Sequence, residues 1–250
     1  MNILLTNDDG IYAEGLYVLY KEIKKISKVT VVAPESEMSS VGHGITISRP
    51  ILYKKIYRRD KFFGYGISGT PADCVNIGIN TILNGKPDLI VSGINKGENL
   101  ADDINYSGTV AAAVEGTLMG IPSFAISLAS GKYFKFKPAA DFALKLARLV
   151  IQKGLPHRTL LNVNVPDTQG KEINAYKITL QGRNTQCNTI EEKNDPRGVK
   201  YYWIGRKDEG FESDEESDLA VIKQGLVSIT PLQIDRTHHS VVKELQQWNL

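Results

Sequence analysis

The residues with the most chemical potential stand early in the chain. Asn7-Asp8-Asp9-Gly10 directly follows the short apolar run Ile3-Leu4-Leu5-Thr6. Two adjacent carboxylates at the end of a buried strand repel each other and are poorly solvated, which raises their pKa values unless a cation compensates. A hard divalent ion such as Mg2+ or Mn2+ suits that position. It takes carboxylate, amide and hydroxyl oxygens and keeps places for water and a substrate phosphate. Gly10 lets the backbone turn sharply beside such an ion. Asp-Asp-Gly is equally an ordinary turn sequence, and its placement after the first strand is what favours the metal.

A second feature is Ser107-Gly108-Thr109-Val110, which opens a helix whose far face is Val110, Val114 and Leu118. Its free amides and positive dipole end offer a phosphate site; a plain Ser N-cap explains the same residues equally well. No Walker A loop is present, and no Gly-x-Gly-x-x-Gly follows the first strand, which disfavours dinucleotide binding. Ser68 and Ser92 lack a nucleophile elbow. His43 is expected to be a solvated loop residue with the option of touching substrate. His238 and His239 face opposite ways if extended and make no chelate. Glu115 is an odd charge on a small-residue helix, suited to capping a loop or pairing with a base. Lys54, Lys55, Arg58, Arg59 and Lys61 read as a solvated hairpin face.

These side chains need a scaffold, and the chain alternates strand and helix signals to supply one. β-branched strands are expected at residues 2–6, 29–33, 88–92, 122–128 and 159–165, with helical spacing between them. Residues 45–48, 51–57 and 62–68 read as strands with no intervening helix, a hairpin excursion. Thr70-Pro71-Ala72-Asp73 is a helix start: Thr70 as N-cap, Pro71 at N1, Asp73 returning to the Thr70 amide. The βαβ alternation predicts a mostly parallel sheet covered on both faces. In such sheets ligands sit beyond the carboxyl ends of the strands, so the loops after residues 6, 33 and 92 are expected to share one edge. From about Gln181 the chain turns polar. Residues 181–218 hold one strand-like island, Tyr201-Tyr202-Trp203-Ile204, and the run from Asp208 to Asp218 carries seven acids and no base, expected to be a solvated loop. A short helix at residues 219–224, a strand at 226–230 and a final helix around 241–248 close the chain. Residues 1–250 are read as one α/β domain with an extended C-terminal appendage.

Composition agrees with that reading. Thirty Lys+Arg against 28 Asp+Glu leave a formal charge of +2, without the footprint of a dedicated nucleic-acid binder. Two cysteines cannot staple a secreted scaffold. Residues 1–9 do not form a signal peptide, and the apolar-leaning residues 110–128 contain Glu115, so a cytoplasmic protein with no membrane span is expected.

Several blocks in this order resemble the SurE family, the stationary-phase survival protein nucleotidases. The likeness rests on Ile3-Leu4-Leu5-Thr6-Asn7-Asp8-Asp9-Gly10, Val32-Ala33-Pro34 followed by Ser39, and Ser68-Gly69-Thr70-Pro71-Ala72-Asp73-Cys74-Val75. It continues through the residues from Asp88 to Asn99, Tyr106-Ser107-Gly108-Thr109-Val110 and Gly225-Leu226-Val227-Ser228-Ile229-Thr230-Pro231-Leu232, so it spans essentially the whole chain. The resemblance implies a three-layer α/β/α Rossmann-like sandwich with a mostly parallel mixed sheet and an extended C-terminal arm. It implies a metal-dependent phosphatase acting on nucleoside 5′- and 3′-monophosphates, with short polyphosphate as a side substrate. It also implies one divalent ion per subunit, Mg2+ or Mn2+, and a homodimer or homotetramer assembled through the arm at 181–218. The implied metal ligands fall on Asp8, Asp9, Ser39 and Asn95. Ser107, Gly108 and Thr109 match the phosphate-facing loop, and Asn7 lies beside the ion. Asp8 or Asp9 is then expected to orient or deprotonate the attacking water. Leu100-Ala101 stands where the family often has Leu-Gly, and Gly44 where a small polar residue is more usual. A zinc deacetylase would need His-Pro before the carboxylates, where Thr6-Asn7 stand. A non-catalytic nucleotide-sensing module is the remaining alternative.

Overall fold

Both neighbours of the first strand run parallel to it, and that arrangement sets the position of everything discussed below. The computed structural model describes residues 1–129, 134–173, 175–184, 187–207, 211–212 and 214–248. In chain order these form β1 (Asn2–Thr6), α1 (Glu14–Ile23), β2 (Lys28–Pro34), β3 (Tyr53–Arg58), β4 (Lys61–Ile67), α2 (Pro71–Ile77), β5 (Leu89–Lys96), α3 (Gly108–Leu118) and β6 (Ser123–Leu128). They continue with α4 (Phe136–Lys153), β7 (Thr159–Val165), β8 (Tyr176–Ile178), β9 (Arg183–Asn184), β10 (Cys187–Asn194), β11 (Lys200–Lys207), β12 (Phe211–Glu212), α5 (Asp218–Lys223), β13 (Val227–Gln233) and α6 (His239–Leu245).

The main sheet has nine strands in the order β3-β4-β2-β1-β5-β6-β7-β13-β8. The pairs from β4 through β7 are parallel, whereas β3 pairs antiparallel with β4 and β13 antiparallel with β7. The chain leaves β1 toward β2 on one side and returns as β5 on the other, so β1 is the topological switch point. Side chains alternate across each strand. Ile3, Leu5, Leu89 and Val91 pack with Leu16, Leu19, Ala140, Ala143 and Ala147 of α1 and α4 on one face. Leu4, Val32 and Ile90 pack with Val75 and Ala112 of α2 and α3 on the other. This is the expected three-layer sandwich with a mostly parallel mixed sheet. No helix among the described residues is long and apolar enough to cross a membrane.

Local signals explain several boundaries. α2 opens with the anticipated capping box, the Thr70 hydroxyl accepting from the Asp73 amide at 3.2 Å and the Asp73 carboxylate from the Thr70 amide at 2.9 Å. Gly93 has φ +133, and a Cβ there would lie 2.2 Å from the Ile126 carbonyl oxygen, so only glycine lets β5 approach β6 so closely.

The structure departs from the sequence expectations in three places. Residues 45–48 are not a strand, because local groups take their backbone: the Thr46 amide donates to Asp73 at 3.0 Å and the Gly44 carbonyl accepts from the Thr70 hydroxyl at 2.7 Å. The strand-like island is half of a hairpin, since β11 pairs along its whole length with β10, whose polar composition concealed it. Asp195 closes that hairpin by accepting from the Arg197 and Val199 amides, both at 2.8 Å. Finally, the acidic run is exposed at residues 214–216, but Asp218 is fully buried, because three backbone amides converge on its carboxylate. Residues 208–210 and 213 of that run lie outside the described residues.

Candidate metal and phosphate site

Three strand ends meet at one cavity of about 440 Å3. β1 delivers Asp8 and Asp9, the segment after β2 delivers Ser39, and β5 carries Asn95 at its end. Ser107, the residue before α3, closes the group. Of the positions singled out by sequence, the structure therefore brings Asp8, Asp9, Ser39, Asn95 and Ser107 to one wall-to-wall site. Glu37, Lys96, Glu98, Asp103 and Tyr106 line it as well. Ser40 and Asn99 line it too. None of these seven was singled out as a site residue from the sequence, although each lies within four residues of Ser39, Asn95 or Ser107.

Asn7, Gly108 and Thr109 stand behind the cavity. Asn7 is fully buried beneath the turn, its side-chain amide donating to the Gly10 carbonyl at 3.0 Å. Its Oδ1 is buried with no hydrogen-bond partner. Thr109 gives both of its donors to Asp8, the amide at 3.0 Å to Oδ2 and the hydroxyl to Oδ1. Gly108 is the reason the helix can sit there: a Cβ would lie 2.8 Å from the Asp8 Cβ. Ser107 is the N-cap, its Oγ accepting from the Val110 amide at 3.1 Å. The start of α3 is thus used first to seat Asp8, and only Ser107 faces the cavity.

The cavity is strongly acidic, and a bound cation would relieve it. Burial pushes the Asp8 carboxyl above the usual carboxylate range, with the Thr109 hydroxyl and amide holding it partly back. Asp9 is pushed up to about 6, first by burial and then by the charge of Asp8, against the Lys96 amide that donates to it at 3.1 Å. Glu37, Glu98 and Asp103 add carboxylates to the same walls. Lys96 is the one basic side chain among the lining residues, and its ammonium lies 4.8 Å from the centre of the Phe134 ring. A phosphate entering this cavity alone meets repulsion.

The donor set fits a hard divalent ion. Asn95 donates its amide to the Gly97 carbonyl at 2.8 Å, which leaves its Oδ1 as an acceptor. Ser39 donates to Glu37 at 2.5 Å and keeps its oxygen lone pairs. Two carboxylates, an amide oxygen and a hydroxyl are oxygen ligands suited to Mg2+ or Mn2+. Among the described residues no group of three or more His, Cys, Asp or Glu is placed to hold a metal ion, so a cation here would depend on the Ser39 and Asn95 oxygens beside Asp8 and Asp9.

A buried polar scaffold fixes the loop between β5 and α3. The Asn99 amide donates to Asn164 and its side chain to Ser127, both at 2.8 Å, while its carbonyl accepts from Asn162 at 2.8 Å and Asn164 at 2.9 Å. Ala101, at φ +51, donates to Asp218 at 3.0 Å. Asparagine twice inside the apolar strand Leu161-Asn162-Val163-Asn164-Val165 was the available signal, since a buried amide needs partners.

The fold is a Rossmann-like α/β sandwich whose switch point carries a cavity lined by carboxylate, amide and hydroxyl oxygens. Residues 3–188 match the family model described as survival protein SurE. The chain is 47% identical over its full length to 5'-nucleotidase SurE of Geobacter sulfurreducens, covering 94% of that protein. It is 44% identical over its full length to 5'-nucleotidase SurE of a Thermoanaerobacter species, covering 99% of it. The crystal structure of the SurE protein from Aquifex aeolicus superposes with a TM-score of 0.86 at 39% identity over 98% of each chain. This chain belongs to the SurE family.

Proposed function

We propose that this chain is a metal-dependent phosphomonoesterase that hydrolyses nucleoside 5′- and 3′-monophosphates to nucleoside and phosphate, with short polyphosphate as a side substrate. One observation carries the reading: Asp8, Asp9, Ser39 and Asn95 share a cavity with Ser107, and the burial that raises both carboxyls leaves them in need of a cation. The curated relatives bear the name 5'-nucleotidase, which supports a nucleotide substrate.

Asp8, Asp9, Ser39 and Asn95 would hold one Mg2+ or Mn2+ per subunit. Such an ion supplies Lewis-acid polarisation of a phosphoryl oxygen and a water acidified for attack. Thr109 keeps Asp8 oriented, and Asp9, which Thr109 leaves free, orients or deprotonates the attacking water. Ser107, the residue at the start of α3 that faces the cavity, stabilises charge on the phosphoryl oxygens as the ester bond breaks. The water oxygen bonds to phosphorus as the bond from phosphorus to the nucleoside oxygen breaks, and the proton given up by the water passes to that leaving oxygen, so nucleoside and phosphate separate. Assembly into a homodimer or homotetramer through residues 181–218 accords with the exposed Tyr202, Trp203 and Ile204 on the β10–β11 hairpin, which pairs only with itself among the described residues.

Phosphate release from AMP, 3′-AMP, p-nitrophenyl phosphate and polyphosphate, each with Mg2+, Mn2+ or EDTA, tests the reading. Release that EDTA abolishes supports it. AMP binding without release under any metal would replace it with a nucleotide-sensing module.

A further inference from the structure

Glu115 has no part in the chemistry above, yet it sits on the helix that seats Asp8. Its side chain is 14% exposed, and its two oxygens are both engaged: Oε1 accepts from Asn76 of α2 at 2.7 Å, and Oε2 lies 2.6 Å from His43 Nε2. Because Glu115 is an acceptor, His43 is the donor. The His43 bond and the Asn76 bond hold the Glu115 carboxyl below its usual range, so the pair is His to carboxylate.

His43 belongs to the segment at 35–52, which has no regular secondary structure and carries Glu37, Ser39 and Ser40 into the cavity. Before Ser39 the segment is tied by its Met38 amide, which donates to the Asp8 carbonyl at 2.8 Å. Beyond Ser39, the Gly42 amide donates to the Tyr106 carbonyl at 2.9 Å, the Gly44 carbonyl accepts from Thr70, and the Thr46 amide donates to Asp73. In these ties the segment offers backbone atoms except at His43. Ser39 is therefore suspended between the carbonyl of Asp8 and the helix pair α2–α3, with Ser40 at φ +57 between the two anchors.

We propose that His43 is a positioning residue, and that its bond to Glu115 holds Ser39 at the reach needed to share a divalent cation with Asp8 and Asp9. Partners that orient a metal ligand typically change metal affinity or activity by about 10–100-fold when removed. The inference rests on the metal-dependent reading above, but its primary readout is binding, which is independent of turnover. His43 is a third exposed at its side chain, so its removal leaves the core intact.

The test is calorimetric titration of Mn2+ into the full chain without substrate, for wild type, His43→Ala, His43→Gln and Glu115→Gln, alongside kcat and KM for AMP. His43→Ala is expected to weaken Mn2+ binding by about 10–100-fold, with kcat falling at subsaturating metal and the EDTA melting temperature within a few degrees of wild type. His43→Gln keeps a donor for Glu115 and is expected to recover most of the affinity. Glu115→Gln keeps one acceptor for the Asn76 and His43 pair and is expected to fall between wild type and His43→Ala. A His43→Ala protein that binds Mn2+ as wild type does overturns the proposal, as does a loss that His43→Gln fails to recover. A wild type that binds Mn2+ but releases no phosphate overturns the phosphatase reading instead, and the titrations still decide the role of His43.

Discussion

Thr109 donates to both oxygens of Asp8, through its amide to Oδ2 at 3.0 Å and through its hydroxyl to Oδ1. This one residue ties the helix after the third central strand to the carboxylate after the first. It also works against the burial that raises the Asp8 carboxyl.

Thr109→Val keeps the shape and removes the hydroxyl. The Asp8 carboxyl then rises further, protons compete better with the cation, and Mn2+ affinity at neutral pH falls by about 10-fold or more. Thr109→Ser restores the donor and most of the affinity. Equal Mn2+ binding by Thr109→Val and wild type would show that the hydroxyl does nothing for the site.

Asp9 gives the metal-free protein a pH dependence with a definite sign. Its carboxyl lies at about 6 in the fold against 3.8 ordinarily, so the folded state holds the proton more tightly. The stability this contributes is fully present below pH 4 and is lost as pH rises through 6. Melting in EDTA should therefore lose a destabilising slope between those values when Asp9 is replaced by Asn. Adding Mn2+ should raise the melting temperature of wild type at pH 7.5 and leave Asp9→Asn nearly unmoved. Identical slopes in the two proteins would contradict the assignment.

Much of this arrangement was legible in the sequence. β-branched runs marked the parallel strands and brought the loops after residues 6, 33 and 92 to one edge. Asp8 and Asp9 stood out there, a helix start gave Ser107, and the resemblance to the SurE family picked out Ser39 and Asn95, all of which line one cavity. What stayed hidden depends on tertiary pairing. Residues 45–48 have strand-like composition, but Asp73 and Thr70 take their backbone groups. β10 is polar because it pairs with a single strand and faces solvent. His43 and Glu115 are 72 residues apart, so neither alone revealed the other. Gly108 and Thr109 read as phosphate ligands because a helix start announces free amides, whereas their closest partner is Asp8.

Gly108→Ala tests that contact directly. The added Cβ would sit 2.8 Å from the Asp8 Cβ and 3.1 Å from its Oδ2, so either the helix or the carboxylate must move. The expected cost is about 1–3 kcal/mol of stability, with a larger relative loss of turnover than of folded protein. Unchanged kcat would mean that the seat of Asp8 tolerates displacement.

Asp218 should matter for stability well away from the cavity. Its buried carboxylate accepts from the amides of Ala101 at 3.0 Å, Gly182 at 2.9 Å and Leu219 at 2.8 Å. Asp218→Ala leaves these donors buried and unpaired, at about 1–3 kcal/mol each before relaxation. Asp218→Asn retains an acceptor and should cost less. Denaturant titration orders the three proteins, and equal midpoints for Asp218→Ala and wild type would remove this anchor from the account.

The most direct test of the central claim is phosphate release from AMP by wild type and Asp8→Asn, each with Mn2+ and with EDTA, beside circular dichroism of both. The account predicts release by wild type that needs the metal, loss of most of it in Asp8→Asn, and the same folded spectrum for the two. A folded Asp8→Asn protein that is fully active, or wild-type release undiminished by EDTA, would contradict it.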